Sequence, residues 1–105
     1  MTDQIIQDLA ETIRARRLAP HETSYTRQLL DAGPSRCARK LGEEATETII
    51  AGICEDAGQL QTEAADLLYH LLVLLESRNV EISDVLAILQ QRMGTSGLTE
   101  KESRT

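Results

Sequence analysis

The chain has 105 residues, a length that suits one folded domain over 1–105, and 41% hydrophobic with 27% charged residues excludes a disordered chain. A net charge of −6 repels nucleic acid and anionic lipid, and two aromatics, Tyr25 and Tyr69, are too few for a stacking platform on single strands. No apolar run is long enough to span a membrane, and the first residues lack the basic and apolar regions of a secretion signal, so a cytoplasmic setting is expected.

The first predicted element is a helix over 3–17, where Ile5, Ile6, Leu9 and Ile13 form an apolar stripe at helical spacing. Pro20 breaks any helix, so Leu18 to Thr23 reads as a loop. Thr23 is placed to cap a short helix from Ser24 to about Ala32. Gly33 stops that helix and Pro34 suits the first turn of the next. From Pro34 to Cys54, Leu41, Ala45, Ile49 and Ile53 recur every fourth residue, which predicts a long amphipathic helix. Cys37 and Cys54 both fall on it, roughly 25 Å apart. A disulfide needs Cα atoms within about 7 Å, so both thiols are expected to be free, as suits a reducing compartment.

A turn over Glu55 to Gly58 leads into a second long helix, from about Gln59 to Ser77. Its latter half, Leu67 to Leu75, is apolar on almost every face, a pattern of burial all round that in so short a chain points to a partner subunit. Asn79 ends it, and Ser83 is placed to cap a last helix to about Met93. Residues 94–105 form a polar, glycine-punctuated tail. With no alternating strand pattern, the expected fold class is all-α, a bundle of four to five helices.

The informative feature is acidic. Glu43-Glu44-x-x-Glu47 lies on the first long helix and Glu63-x-x-Asp66 on the second. Residues three or four apart share a helix face, so Glu44 sits beside Glu47 and Glu63 beside Asp66. A short turn makes the two helices antiparallel neighbours. If both stripes face inward, four carboxylates converge and raise one another's pKa unless a counter-charge is present. Oxygen ligands suit Mg²⁺ or Mn²⁺, and no thiolate cluster for structural zinc is present. Such an ion would also let an acidic protein hold a polyphosphate. The plainer alternative is that these acids form solvated helix faces with lysine partners.

These residues resemble a known family. The acidic spacing is similar to the signature of the all-α, MazG-like nucleotide pyrophosphohydrolases. Four stretches resemble the phosphoribosyl-ATP pyrophosphatases within it: Ser24-Tyr25-Thr26; Gly33-Pro34 leading to Lys40-Leu41-Gly42-Glu43-Glu44-Ala45; Glu63 to Leu75; and the tail Ser96-Gly97 with Glu100-Lys101. The resemblance implies an intertwined homodimer, a Mg²⁺ site, and hydrolysis of 1-(5-phosphoribosyl)-ATP to 1-(5-phosphoribosyl)-AMP and pyrophosphate in histidine biosynthesis. It puts Glu44, Glu47, Glu63 and Asp66 at metal-ligand positions. Glu43 matches the first acid of the signature.

The expected chemistry is in-line attack of water on the α-phosphorus, with Glu43 or Glu47 as general base. Lys40 is a candidate for the phosphates, or simply a partner of Glu44 four residues on, and Arg36 is a weaker candidate. Tyr25 is the candidate for the base or ribose, and Lys101 and Arg104 in the tail for closing over the substrate. His70 reads as second to the metal or as a core residue. Two rivals stand beside this reading. One is a house-cleaning hydrolase of dNTPs with the same fold; the other is a helical dimerisation module with no catalysis. A di-iron bundle needs Glu-x-x-His on two helices, and Glu63-x-x-Asp66 lacks it.

Overall fold

Side-chain caps start two of the five helices. Ser24 has an extended backbone and its hydroxyl accepts the Arg27 amide at 3.1 Å, starting one helix. Asp56 accepts the Gln59 amide at 2.8 Å and starts another. Over residues 4–94, which the computed structural model describes, five helices result. They are α1 (Ile5–Ala15), continued by a 3₁₀ turn (Arg16–Leu18), α2 (Tyr25–Ala32), α3 (Pro34–Cys54), α4 (Ala57–Ser77) and α5 (Ile82–Met93). No strand occurs among the described residues. No helix there is long and apolar enough to cross a membrane.

Two expected caps move by a residue or two. Thr23 is taken up by the preceding turn, its amide bonded to the Pro20 carbonyl, and the capping role falls to Ser24. Ser83 lies inside the first turn of α5, which begins after Glu81 without a side-chain cap. Asp84 in that turn complements the positive end of the helix dipole instead. Gly33 joins α2 to α3 by itself, at φ 97° and ψ 173°, where a side chain is strained, and Pro34 opens α3.

Glu55 and Asp56 alone separate α3 from α4, so α4 folds back along α3 to form the principal packing pair. Ala51 is fully buried between them. The Thr48 hydroxyl lies 2.8 Å from the Glu44 carbonyl and 3.2 Å from that of Glu63, so its one proton links the two helices. Ile13, Leu29, Cys37, Leu72 and Val73 form the core where α1 and α2 pack on this hairpin. The Cys37 thiol donates to the Leu29 carbonyl, and burial pushes its pKa up. Cys54 is exposed, and both cysteines are free.

A buried acid ties the two ends of the structure together. Glu76, 8% exposed, accepts from Arg14 Nε at 3.3 Å and Arg17 Nε at 2.5 Å. Arg17 Nη2 also donates to the Glu76 carbonyl at 2.6 Å, and Arg14 Nη2 meets Glu81 at 2.7 Å. The guanidinium of Arg17 thus satisfies a carbonyl in the last turn of α4.

The apolar stripe of α3 does not all face this core. Ile49 is 62% and Ile53 78% exposed on the single chain, with Ile50 and Leu68 also open. The face of α3 that meets α4 carries Glu44, Thr48 and Ala51 instead.

Candidate active site

Glu44 and Glu63 lie on facing surfaces of α3 and α4, because Glu44 is one turn before Thr48 and the Thr48 hydroxyl reaches the carbonyl of Glu63 itself. Asp66 follows Glu63 by three residues on the same face. The hairpin brings one carboxylate oxygen from each of Glu44, Glu63 and Asp66 within 4.8 Å of one another. Glu44 is 14% exposed along its side chain, whereas Asp66 opens to solvent.

Two oxygens in this group, Glu44 Oε2 and Glu63 Oε1, are buried without a hydrogen-bond partner among the described residues. Burying a charged oxygen with no donor is strongly unfavourable, so the arrangement calls for a positive group. Among the described residues no lysine or arginine supplies one directly. Lys40 donates to Glu43 at 3.0 Å rather than to Glu44, because Glu44 turns in toward α4 while Glu43 stays 51% exposed on the outer side. The mutual pairing raises the Lys40 pKa and lowers that of Glu43. A hard divalent cation with oxygen ligands fits the three converging carboxylates and their orphaned oxygens.

Glu47 stands at the open edge of the cluster. Its neighbour Glu44 raises its pKa, through a shared hydrogen bond first and charge repulsion second. Glu63 is also within hydrogen-bonding reach of it. Four of the five predicted acids are therefore brought together, and Glu43 is the one left outside, paired with Lys40.

His70 closes the inner end. It is 6% exposed, and Nε2 lies 4.0 Å from Glu44 Oε1. Burial lowers its pKa, which favours the neutral ring, and Nδ1 has no partner among the described residues. Tyr25 and Tyr69 meet His70 edge-on, at 6.1 and 4.9 Å between ring centres. The Tyr69 hydroxyl is 2.5 Å from that of Thr26, which fixes the ring. Tyr25, half exposed, presents its remaining surface to solvent beside Lys40. Arg36 lies exposed near Glu43 at the outer edge, and Lys101 and Arg104 lie outside the described residues.

Gln59 has a part in the site that its residue type did not advertise. Its Nε2 donates to Glu63 Oε2 at 2.8 Å, which leaves the buried Oε1 without a donor among the described residues. The signal was the spacing of four residues from Gln59 to Glu63 on one helix face.

The sequence profile of the family described as Phosphoribosyl-ATP pyrophosphohydrolase matches residues 6–93. This chain belongs to that family. A relative from Bradyrhizobium diazoefficiens, named phosphoribosyl-ATP pyrophosphatase 1, is 56% identical over 99 residues, 94% of this chain and 93% of its own length. Another of that name, from Rhodopseudomonas palustris, is 52% identical over 94% of this chain and 92% of its own. A phosphoribosyl-ATP pyrophosphatase from Cereibacter sphaeroides is 48% identical over 95% of this chain and 97% of its own. The matched span of the pyrophosphohydrolase family contains the whole carboxylate cluster.

Proposed function

We propose that this chain hydrolyses 1-(5-phosphoribosyl)-ATP to 1-(5-phosphoribosyl)-AMP and pyrophosphate, a step of L-histidine biosynthesis carried out in the cytoplasm. The observation that carries this reading is the convergence of Glu44, Glu63 and Asp66 in a chain that the pyrophosphohydrolase family matches over residues 6–93. Relatives of almost the same length carry the corresponding name.

Glu44, Glu63 and Asp66, with Glu47 at their edge, would hold Mg²⁺, or Mn²⁺ in its place. The ion supplies charge neutralisation for the triphosphate and polarises a phosphoryl oxygen. Glu47 is the better general base of the two acids considered, because it is exposed at the mouth of the cluster, without a cationic partner among the described residues, while Glu43 is paired with Lys40. It accepts a hydrogen bond from water and takes the proton as the water oxygen bonds to the α-phosphorus. The bond from the α-phosphorus to the bridging oxygen breaks, and pyrophosphate leaves. The hydrogen bond shared with Glu44, and then its negative charge, hold the Glu47 pKa up, which makes it a stronger proton acceptor.

Lys40, on the same rim, is placed to exchange its Glu43 contact for a phosphate oxygen. Arg36 is farther out, a reserve of positive charge. Tyr25 offers an aromatic edge for the base or a ribose. Lys101 and Arg104, in the tail, complete the proposed substrate contacts.

The proposal includes a homodimer. Ile49, Ile50, Ile53 and Leu68 leave a broad apolar surface open on one chain, and a second copy is the covering its composition suits. The test of function is a substrate panel with Mg²⁺, comparing pyrophosphate release from phosphoribosyl-ATP and from common dNTPs. Preference for phosphoribosyl-ATP supports the reading, and preference for a dNTP overturns it.

A further inference from the structure

A cavity of about 350 Å³ opens between the turn after α1 and the start of α2, and none of the chemistry above uses it. Arg16, Pro20, Thr23, Tyr25 and Thr26 are among its walls. In a chain of net charge −6, no acidic side chain among the described residues lines it. Three arginines cluster at the end of α1, and two of them, Arg14 and Arg17, are committed to Glu76. Arg16 has no acidic partner among the described residues and stands on the cavity wall instead. Burial raises the pKa of the Tyr69 phenol, which is bonded to Thr26 on the same wall, and the Arg16 guanidinium is near enough to oppose that rise in part.

Tyr25 connects this cavity to the carboxylates. One part of it lines the cavity, and its ring meets His70 at 6.1 Å, with His70 in turn 4.0 Å from Glu44. A molecule lying across Tyr25 would have one end at the acidic cluster and the other beside Arg16. Phosphoribosyl-ATP has that construction: its base carries a triphosphorylated ribose on one side and a ribose 5-phosphate on the other.

We propose that the cavity receives the ribose 5-phosphate end of the substrate, with Arg16 pairing to its phosphate; this rests on the substrate reading given above. A planar guanidinium can donate two parallel hydrogen bonds to a phosphate, and without a competing carboxylate it is available to do so. An ordinary nucleoside triphosphate has no group to place there. Arg16 is thus a specificity-determining residue, distinct from the side chains that act at the α-phosphorus.

The experiment measures kcat and KM for phosphoribosyl-ATP in the wild type, Arg16→Ala and Arg16→Lys, together with Mn²⁺ affinity without nucleotide. Arg16 is exposed, so the fold should survive its removal, and an unchanged Tm checks this. Loss of charge-assisted hydrogen bonds should raise KM by about tenfold or more in Arg16→Ala, with kcat changed less than about threefold. Arg16→Lys should recover part of the loss, and Mn²⁺ affinity should stay constant. A KM for Arg16→Ala within about twofold of the wild type overturns the proposal. A fall in Mn²⁺ affinity also overturns it, since Arg16 would then act through the carboxylates. A wild type that prefers a dNTP overturns the substrate reading itself, which separates the two failures.

Discussion

Glu47 and Asp66 differ in what their loss removes. Glu47→Gln keeps the size of the side chain and removes the proposed proton acceptor at the mouth of the cluster. It should lower kcat by about 10²-fold or more, with Tm close to the wild type. Asp66→Asn removes one of three converging carboxylates and should weaken Mn²⁺ binding as well as turnover. Normal turnover in either variant, with the helical signal intact, would count against the site. Gln59 offers a finer test, because it donates to one oxygen of Glu63, Oε2, and is not itself a carboxylate of the cluster. Gln59→Leu should lower Mn²⁺ affinity by roughly tenfold in an EPR titration, since the Glu63 carboxylate would lose the donor that orients it. Glu76 is the contrasting case. Its removal in Glu76→Ala strands Arg14 and Arg17 but lies at the other end of α4 from Glu63. We expect a loss of about 2 kcal/mol, moderated by the exposure of both arginines, and unchanged Mn²⁺ affinity.

At the scale of the helices, Gly33 is the most exacting position. Nothing lies within 4 Å of where a Cβ would sit, so substitution there is limited by backbone conformation rather than by room. Gly33→Ala should destabilise by about 1–3 kcal/mol, read as a lower Tm in thermal unfolding. This junction was legible in the sequence because a glycine followed by proline has few other uses between two helices. Both long helices were legible from their periodicity, and so was the facing of Glu44 toward Glu63 and Asp66. The inward face of α3 was less so. A repeat of Leu41, Ala45, Ile49 and Ile53 marks an apolar side without saying which neighbour covers it, and on one chain Ile49 and Ile53 remain open. Partner choice among charges was not legible either. Lys40 can reach a residue three or four positions on, and the inward rotation of Glu44 leaves Glu43 to it. The grip of Arg14 and Arg17 on Glu76 spans about sixty residues, beyond any local pattern.

For the whole molecule, the proposed homodimer would cover the open surface of Ile49, Ile50, Ile53 and Leu68 and make stability depend on association. Sedimentation should give twice the chain mass, and Tm should rise with protein concentration. Ile53→Glu should shift the population toward the single chain, because a carboxylate would have to be buried at the seam. The one-residue joint between α2 and α3 has a consequence of its own. Tyr25 is carried by α2 and Glu44 by α3, so the span from the arginine-lined cavity to the carboxylates is set by an elbow with no slack. An extra residue added there would change how α2 is set against α3 and so shift Tyr25 relative to Glu44. On the proposed reading such an enzyme would gauge its substrate by length, a ruler that one inserted amino acid would spoil without replacing any side chain named here.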